Sequence, residues 1–439
     1  MLHVLYIIVA VAIATSLSAC SFGHREFLNT RFRSESDVAL QIDDYGSFWT
    51  PQIAAQLLDN IERCSKTTNT IVVLFIHGWH HNAAMSDSNA IDFAESLTSI
   101  RSTLDDNVNG KPGIYRLSRE KLTGIGDVRI FGVYVGWRGK SLPMPLDYLT
   151  FWGRKAAAER VGQGDLRDFL LRLNSIYKQR NDDRTGGRKT PFMGMVTIGH
   201  SFGGQVLFKA VSSVFEQELA IGAASLDPKM EAALPQQISG FGDVVVLLNP
   251  ALEAYQYQKI HELNSRNTYN RIQTPRLLVL SSATDSARQI FFPIGRAIGA
   301  VFQPPGRANQ RAMWNQALGE YKPQVTHALE VVCNEKESTR AFDPNTYVDN
   351  PCGVVNFDLT NVPFIGGVRL VPTQAKIPYS PFLVVNVSGA VIIKHSGIFE
   401  ESLRRFLNDY IAIAEGKQML FADPEMRNCP ENVSQRALE

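Results

Sequence analysis

The strongest constraint on this chain is the junction at residues 195–214. Met195-Val196-Thr197-Ile198 is a buried-type apolar run, and Gly199-His200-Ser201-Phe202-Gly203 follows it without a gap. Phe202, Val206, Ala210 and Val214 then recur every four residues, the spacing of one helix face. The chain must therefore pass from strand to helix across a single serine. Such a turn strains the serine backbone, and it closes only with small residues two before and two after. Gly199 and Gly203 occupy those positions, and Gly204 adds room for the helix to pack on the strand. The helix N-terminus also places positive partial charge where an oxyanion would form, which suits a nucleophilic serine at this turn. An ordinary glycine-rich turn with an idle serine is the alternative reading.

The rest of the chain repeats this strand-then-helix grammar. Residues 70–76 are a continuous apolar, β-branched run, as expected of a strand covered on both faces, and 128–135, 192–198, 244–248, 277–280 and 382–387 also read as strands. Helical spacing marks 53–61, then Phe93, Leu97, Ile100 and Leu104, then Leu166, Phe169, Leu170, Leu173 and Tyr177, and finally 398–414. The expected fold is α/β: a doubly wound, mainly parallel sheet with helices on both faces. Alternation fails over 286–381, a Pro-rich stretch too long for a structureless connection. It predicts an inserted subdomain or lid before the last strand. The expected organisation is a removable leader at 1–19, a tether and helix at 20–69, the core at 70–285, the insertion at 286–381, the last strand and helix at 382–416, and a tail at 417–439. With 44 basic against 43 acidic residues the net charge is +1, so the chain lacks the basic excess that nucleic-acid binding needs.

Gly-His-Ser-Phe-Gly-Gly after a buried strand resembles the α/β-hydrolase superfamily, its esterases and lipases in particular, over residues 70–415 less the insertions. Within that superfamily the chain resembles bacterial hydrolase-like lipoproteins. The resemblance implies Ser201 as nucleophile and the backbone amides of Trp79 and Phe202 as oxyanion hole, since Ile76-His77-Gly78-Trp79 closes the first strong strand. It implies an acid after the strand 277–280, where Asp285 stands, with Glu253 as runner-up. It implies a histidine beyond the last strand, where His395 stands; His327, inside the insertion, is the other candidate. Histidine suits the role because its pKa sits near neutrality. A metal site at His77, His80 and His81 lacks a nearby carboxylate or thiolate, and no metal or cofactor is expected. Arg138, at a strand end, is read either as a contact for an anionic substrate or as half of an ion pair. Phe291, Phe292 and Pro293 are read as lid surface or core.

The amino terminus carries an apolar run at 5–14 and ends Leu17-Ser18-Ala19-Cys20. The run is too short to span a bilayer and suits a secretory signal, although its n-region offers only His3. The ending resembles a lipoprotein lipobox, which implies lipid on Cys20 and, with Ser21 next, a place at the bacterial outer membrane facing the periplasm or exterior. Four cysteines then remain, Cys64, Cys333, Cys352 and Cys429; an exported chain permits disulfides, and Cys333 with Cys352 is the expected pair. The expected function is a membrane-anchored serine hydrolase of carboxylic esters, with lipid, short-chain ester, polysaccharide acyl group and thioester all open as substrates. Acyl transfer on the same scaffold, and a non-catalytic envelope lipoprotein that binds a partner, are the alternatives.

Overall fold

Successive residues of a strand face opposite sides, so a run that is apolar at every position needs cover on both. β2 (Asn69–Ile76) is such a run: Val72, Leu74 and Ile76 enter one core, Ile71, Val73 and Phe75 the other. The structure is a computed structural model. It describes residues 26–108, 128–140, 150–185, 191–224, 237–269, 273–284, 310–331, 363–364, 368–393, 395–407 and 410–411.

Around β2 stand β1 (Asp37–Gln41), β3 (Val128–Gly136), β4 (Met193–His200), β5 (Val244–Leu248), β6 (Leu277–Ser282), β7 (His327–Val331), β8 (Pro363–Phe364), β9 (Val368–Pro372) and β10 (Phe382–Val387). They form one sheet in the order β1-β3-β2-β4-β5-β6-β10-β7-β9-β8. Pairing is parallel from β1 through β7; only β9 runs antiparallel to its neighbours β7 and β8. The fold is thus α/β with a mostly parallel mixed sheet.

The helices are α1 (Pro51–Ser65), α2 (Ser88–Val108), α3 (Phe151–Gln163), α4 (Asp165–Thr185), α5 (Phe202–Ala224), α6 (Ala254–Asn264) and the short α7 (Gln310–Asn315), with a further turn of helix, α8, at 401–407. α1 shows the logic: Pro51 opens it, and Ala54, Leu57, Leu58 and Ile61 bury one stripe. The first core joins α1, α3, α4, α5 and α6 to one face of the sheet, and the second joins α2 and α8 to the other.

Two regions differ from expectation. The stretch 286–381 does not stand apart from the sheet, as far as it is described. β7, β8 and β9 extend the sheet past β10, because Val385–Val387 would otherwise leave a buried edge without partners. The polar segment before residue 70 contributes β1, which pairs with β3 along its whole length. Its sequence hid it, since of Asp37-Val38-Ala39-Leu40-Gln41 only Leu40 is buried.

Candidate active site

Ser201 follows β4 directly and has φ 55, the left-handed conformation that side chains resist. α5 starts at the next residue. Backbone bonds lock the turn: the Ser201 amide donates to the Leu248 carbonyl (2.9 Å), and the Ala251 amide donates to the Ser201 carbonyl (2.9 Å). The flanking glycines are required by contact. A Cβ on Gly199 would lie 2.6 Å from the Gly203 oxygen, and one on Gly203 would lie 2.1 Å from the Ile76 oxygen.

β2 and β4 are neighbours, so the turn after β2 lies against the serine. A Cβ on Gly78 would meet the Ser201 Cβ at 2.7 Å. His77 holds that turn. The Trp137 amide donates to its Nε2 (3.0 Å), so the ring proton sits on Nδ1 and is donated to the Gly78 carbonyl (2.9 Å). The Trp137 indole N–H donates to the His77 carbonyl (2.9 Å). Burial lowers the His77 pKa from 6.5 to about 4, against the pull of the Asp87 carboxylate, so the ring is neutral. Phe151 packs 5.1 Å from Trp79 and 5.1 Å from Phe202, joining the side chains of the two residues expected to supply oxyanion donors. Phe202 opens α5, where amides have no partner inside the helix.

His395, in the segment that follows β10, comes to the serine from 194 residues away. Its Nε2 lies 2.7 Å from Ser201 Oγ. Two donors hold its carbonyl: His200 Nε2–H (3.1 Å) and Asn249 Nδ2–H (2.9 Å). Ser201 is 4% exposed, so the pair meets at the edge of the protein interior.

Other candidates fall elsewhere. β5, β6 and β10 separate β7 from β4, so His327 starts a strand about 19 Å from β4 at usual spacing. Its Nδ1 contacts Thr326 Oγ1 at 2.9 Å. Glu253, fully buried, accepts from the Lys155 ammonium and the Gln256 amide. Arg138 pairs with Asp44, which Arg154 also grips (2.7 Å), and this favours the ion-pair reading. Burial first, and then repulsion from Arg154, lowers the Arg138 pKa. His80 stacks on Trp79 at 3.8 Å, and His81 pairs with Asp87 at 3.1 Å. Burial raises the Asp87 pKa, but the His81 and His77 rings and the Asn82 amide outweigh it and leave the carboxyl below its usual range. Among the described residues no three His, Cys, Asp or Glu side chains converge as metal ligands, and no helix is long and apolar enough to cross a membrane. Asp285, Cys20, Cys333, Cys352, Cys429 and 291–293 lie outside the described residues; Thr284, just before Asp285, is the last one described after β6.

No family model, curated protein or solved structure matches this chain. A serine hydroxyl hydrogen-bonded to an imidazole, on a strained turn at a helix N-terminus, can be deprotonated as it attacks an electrophile. Reading the sequence missed His200 and Asn249. Neither carries a signal, because an Asn after a strand is an ordinary turn residue and the carbonyl it serves is 146 positions away.

Proposed function

We propose that this protein is a serine hydrolase of carboxylic esters on the α/β-hydrolase fold, held at a membrane by lipid on Cys20. One observation carries the reading: the 2.7 Å contact of Ser201 Oγ with His395 Nε2, made by a serine at φ 55. Idle serines rarely sit in that conformation, and strain of this kind gathers where a side chain must be displayed.

In the proposed reaction Ser201 Oγ attacks the acyl carbon while its proton passes to His395 Nε2. The amides of Trp79 and Phe202 hold the developing oxyanion. Collapse breaks the ester C–O bond, and the imidazolium returns the proton to the leaving alcohol. Water, deprotonated by the same imidazole, then attacks the acyl-enzyme and releases acid and free Ser201. The role assigned to Asp285 in this proposal is to accept Nδ1–H of His395 and so fix the tautomer. The sheet order suits this assignment: β4 precedes the serine, β6 precedes Asp285, β10 precedes the histidine, and β5 and β6 are the strands between β4 and β10.

A fluorophosphonate probe tests it. The wild-type chain should be labelled at Ser201 and cleave a short nitrophenyl ester, and Ser201→Ala should lose both. A chain that is neither labelled nor active would reject the hydrolase reading and favour the non-catalytic one. For the anchor, mass spectrometry should find the mature chain starting at lipidated Cys20; any other terminus rejects it.

A further inference from the structure

Asn249 is fully buried at the end of β5, has φ 42, and uses both ends of its carboxamide. Oδ1 accepts from the Ser282 amide at the end of β6 (2.8 Å), and Nδ2–H donates to the His395 carbonyl (2.9 Å). Its own amide donates to the Leu280 carbonyl (2.8 Å). Beside it the Ser282 hydroxyl donates to the Ile392 carbonyl (2.9 Å). The segment bearing His395 thus hangs from the ends of β5 and β6, with His200 on β4 as second donor to the same oxygen.

We propose that Asn249 is a positioning residue for His395: its carboxamide ties the histidine segment to the ends of β5 and β6 and so sets where the imidazole meets Ser201. The inference rests on the hydrolase reading and adds a residue to it. The residue type follows from the place. The position needs a left-handed backbone, a donor for the His395 carbonyl and an acceptor for the Ser282 amide. Asn tolerates that backbone and carries both groups, whereas Gly supplies only the backbone and ionised Asp only the backbone and acceptor. The bonded carbonyl belongs to the residue that bears the ring, so a shift there moves the imidazole directly. A displacement of about 1 Å at a reacting group can cost about 10²-fold in rate.

The test is the rate of fluorophosphonate labelling of Ser201 in the full chain. Asn249→Gly keeps the backbone and should slow labelling about 10²-fold, with kcat on a short ester falling alike and KM changing little. Asn249→Asp, which retains the bond to Ser282, should also be slowed, and it serves if the glycine variant fails to fold. In a His395→Ala background the Asn249 change should alter residual labelling by less than about twofold, because no imidazole remains to be positioned. Equal slowing in both backgrounds would mean damage to the serine turn and would overturn the inference. So would a wild-type rate in both Asn249 variants. Absence of wild-type labelling at Ser201 would instead overturn the hydrolase reading, and this inference with it.

Discussion

The two ends of the parallel strands bury similar polar clusters and turn the chain in different ways. At the amino ends, Asp243 accepts from the Tyr177 hydroxyl (2.7 Å) and the Met195 amide (2.7 Å), while Arg276 donates to the Gly242 and Asp243 carbonyls (3.1 Å each). Two left-handed turns there fall on Gly240 (φ 68) and Gly242 (φ 60), where they cost little. At the carboxyl ends the same conformation falls on His80, Ser201 and Asn249. Tyr379, before β10, is the fourth described non-glycine residue of this kind. Each such residue costs roughly 1–3 kcal/mol. Three of the four strained non-glycine residues thus gather at the carboxyl ends, although glycine turns the chain there too, at Gly319 (φ 93) beside Ser281. The strained end is the one that brings Ser201 and His395 together.

That contrast can be broken experimentally. The largest effect is expected at the carboxyl end: Asp285→Asn should lower kcat by about 10⁴-fold with the fold intact, through loss of tautomer control and of imidazolium stabilisation. Glu253→Gln, which disturbs the pair with Lys155, should cost stability and leave kcat near normal. The reverse pattern would move the acid to Glu253.

At the amino end the expected loss is in stability. Asp243→Ala leaves the Tyr177 hydroxyl and the Met195 amide without their acceptor and should cost about 3 kcal/mol in urea unfolding, with kcat unchanged. A fall in kcat without destabilisation would erase the distinction between the two ends.

His77 gives a pH signature. Its folded pKa is depressed to about 4 from 6.5, so below pH 6.5 the unfolded chain takes up a proton that the native state refuses. Native stability should therefore fall as pH drops from 6.5 to 4 and lose no more on this account below that, by about 3 kcal/mol in all. The lowered carboxyl of Asp87 acts below its ordinary 3.8, outside this window. Urea midpoints across the window should show a shallower pH slope in His77→Asn. An identical slope would mean that His77 is not the group concerned.

The smallest effect isolates the strain itself. Ser201→Gly and Ser201→Ala both lose the hydroxyl, yet the glycine variant should be the more stable by about 1 kcal/mol, since only alanine opposes φ 55. Gly242→Ala should be destabilising for the same reason, and its Cβ would also meet the Met195 oxygen at 2.6 Å. Equal stability of the two Ser201 variants would mean that the turn stores no strain.

Much of the fold was legible because its signal is local. The runs that became β2 to β6 and β10 are apolar at almost every position, and a run of that kind has few places to go except the middle of a covered sheet. α3 escaped because its buried face includes Arg154, Lys155 and Gly162, which blur the apolar stripe; Asp44 and Glu253 neutralise the two charges. β7 and β9 escaped because an edge added beyond β10 shows itself only once β10 is in place.

The sequence by itself determined the serine turn: strand, glycine, serine, glycine and helix are adjacent in the chain, and sterics leave that order one way to close. The turn at Gly78 was legible as the end of a strong strand, whereas its contact with Ser201 is a product of β2 pairing with β4. Only the tertiary structure decided that His395 Nε2 meets Ser201 Oγ and that His327 starts a strand on the far side of β10. Both histidines follow the serine in the chain, and order alone does not separate them. What separates them is strand order and two hydrogen bonds to one carbonyl, from His200 and Asn249. Those contacts span 195 and 146 residues, and a contact at that separation leaves no mark in local pattern, because it exists only after the sheet has brought its strand ends together.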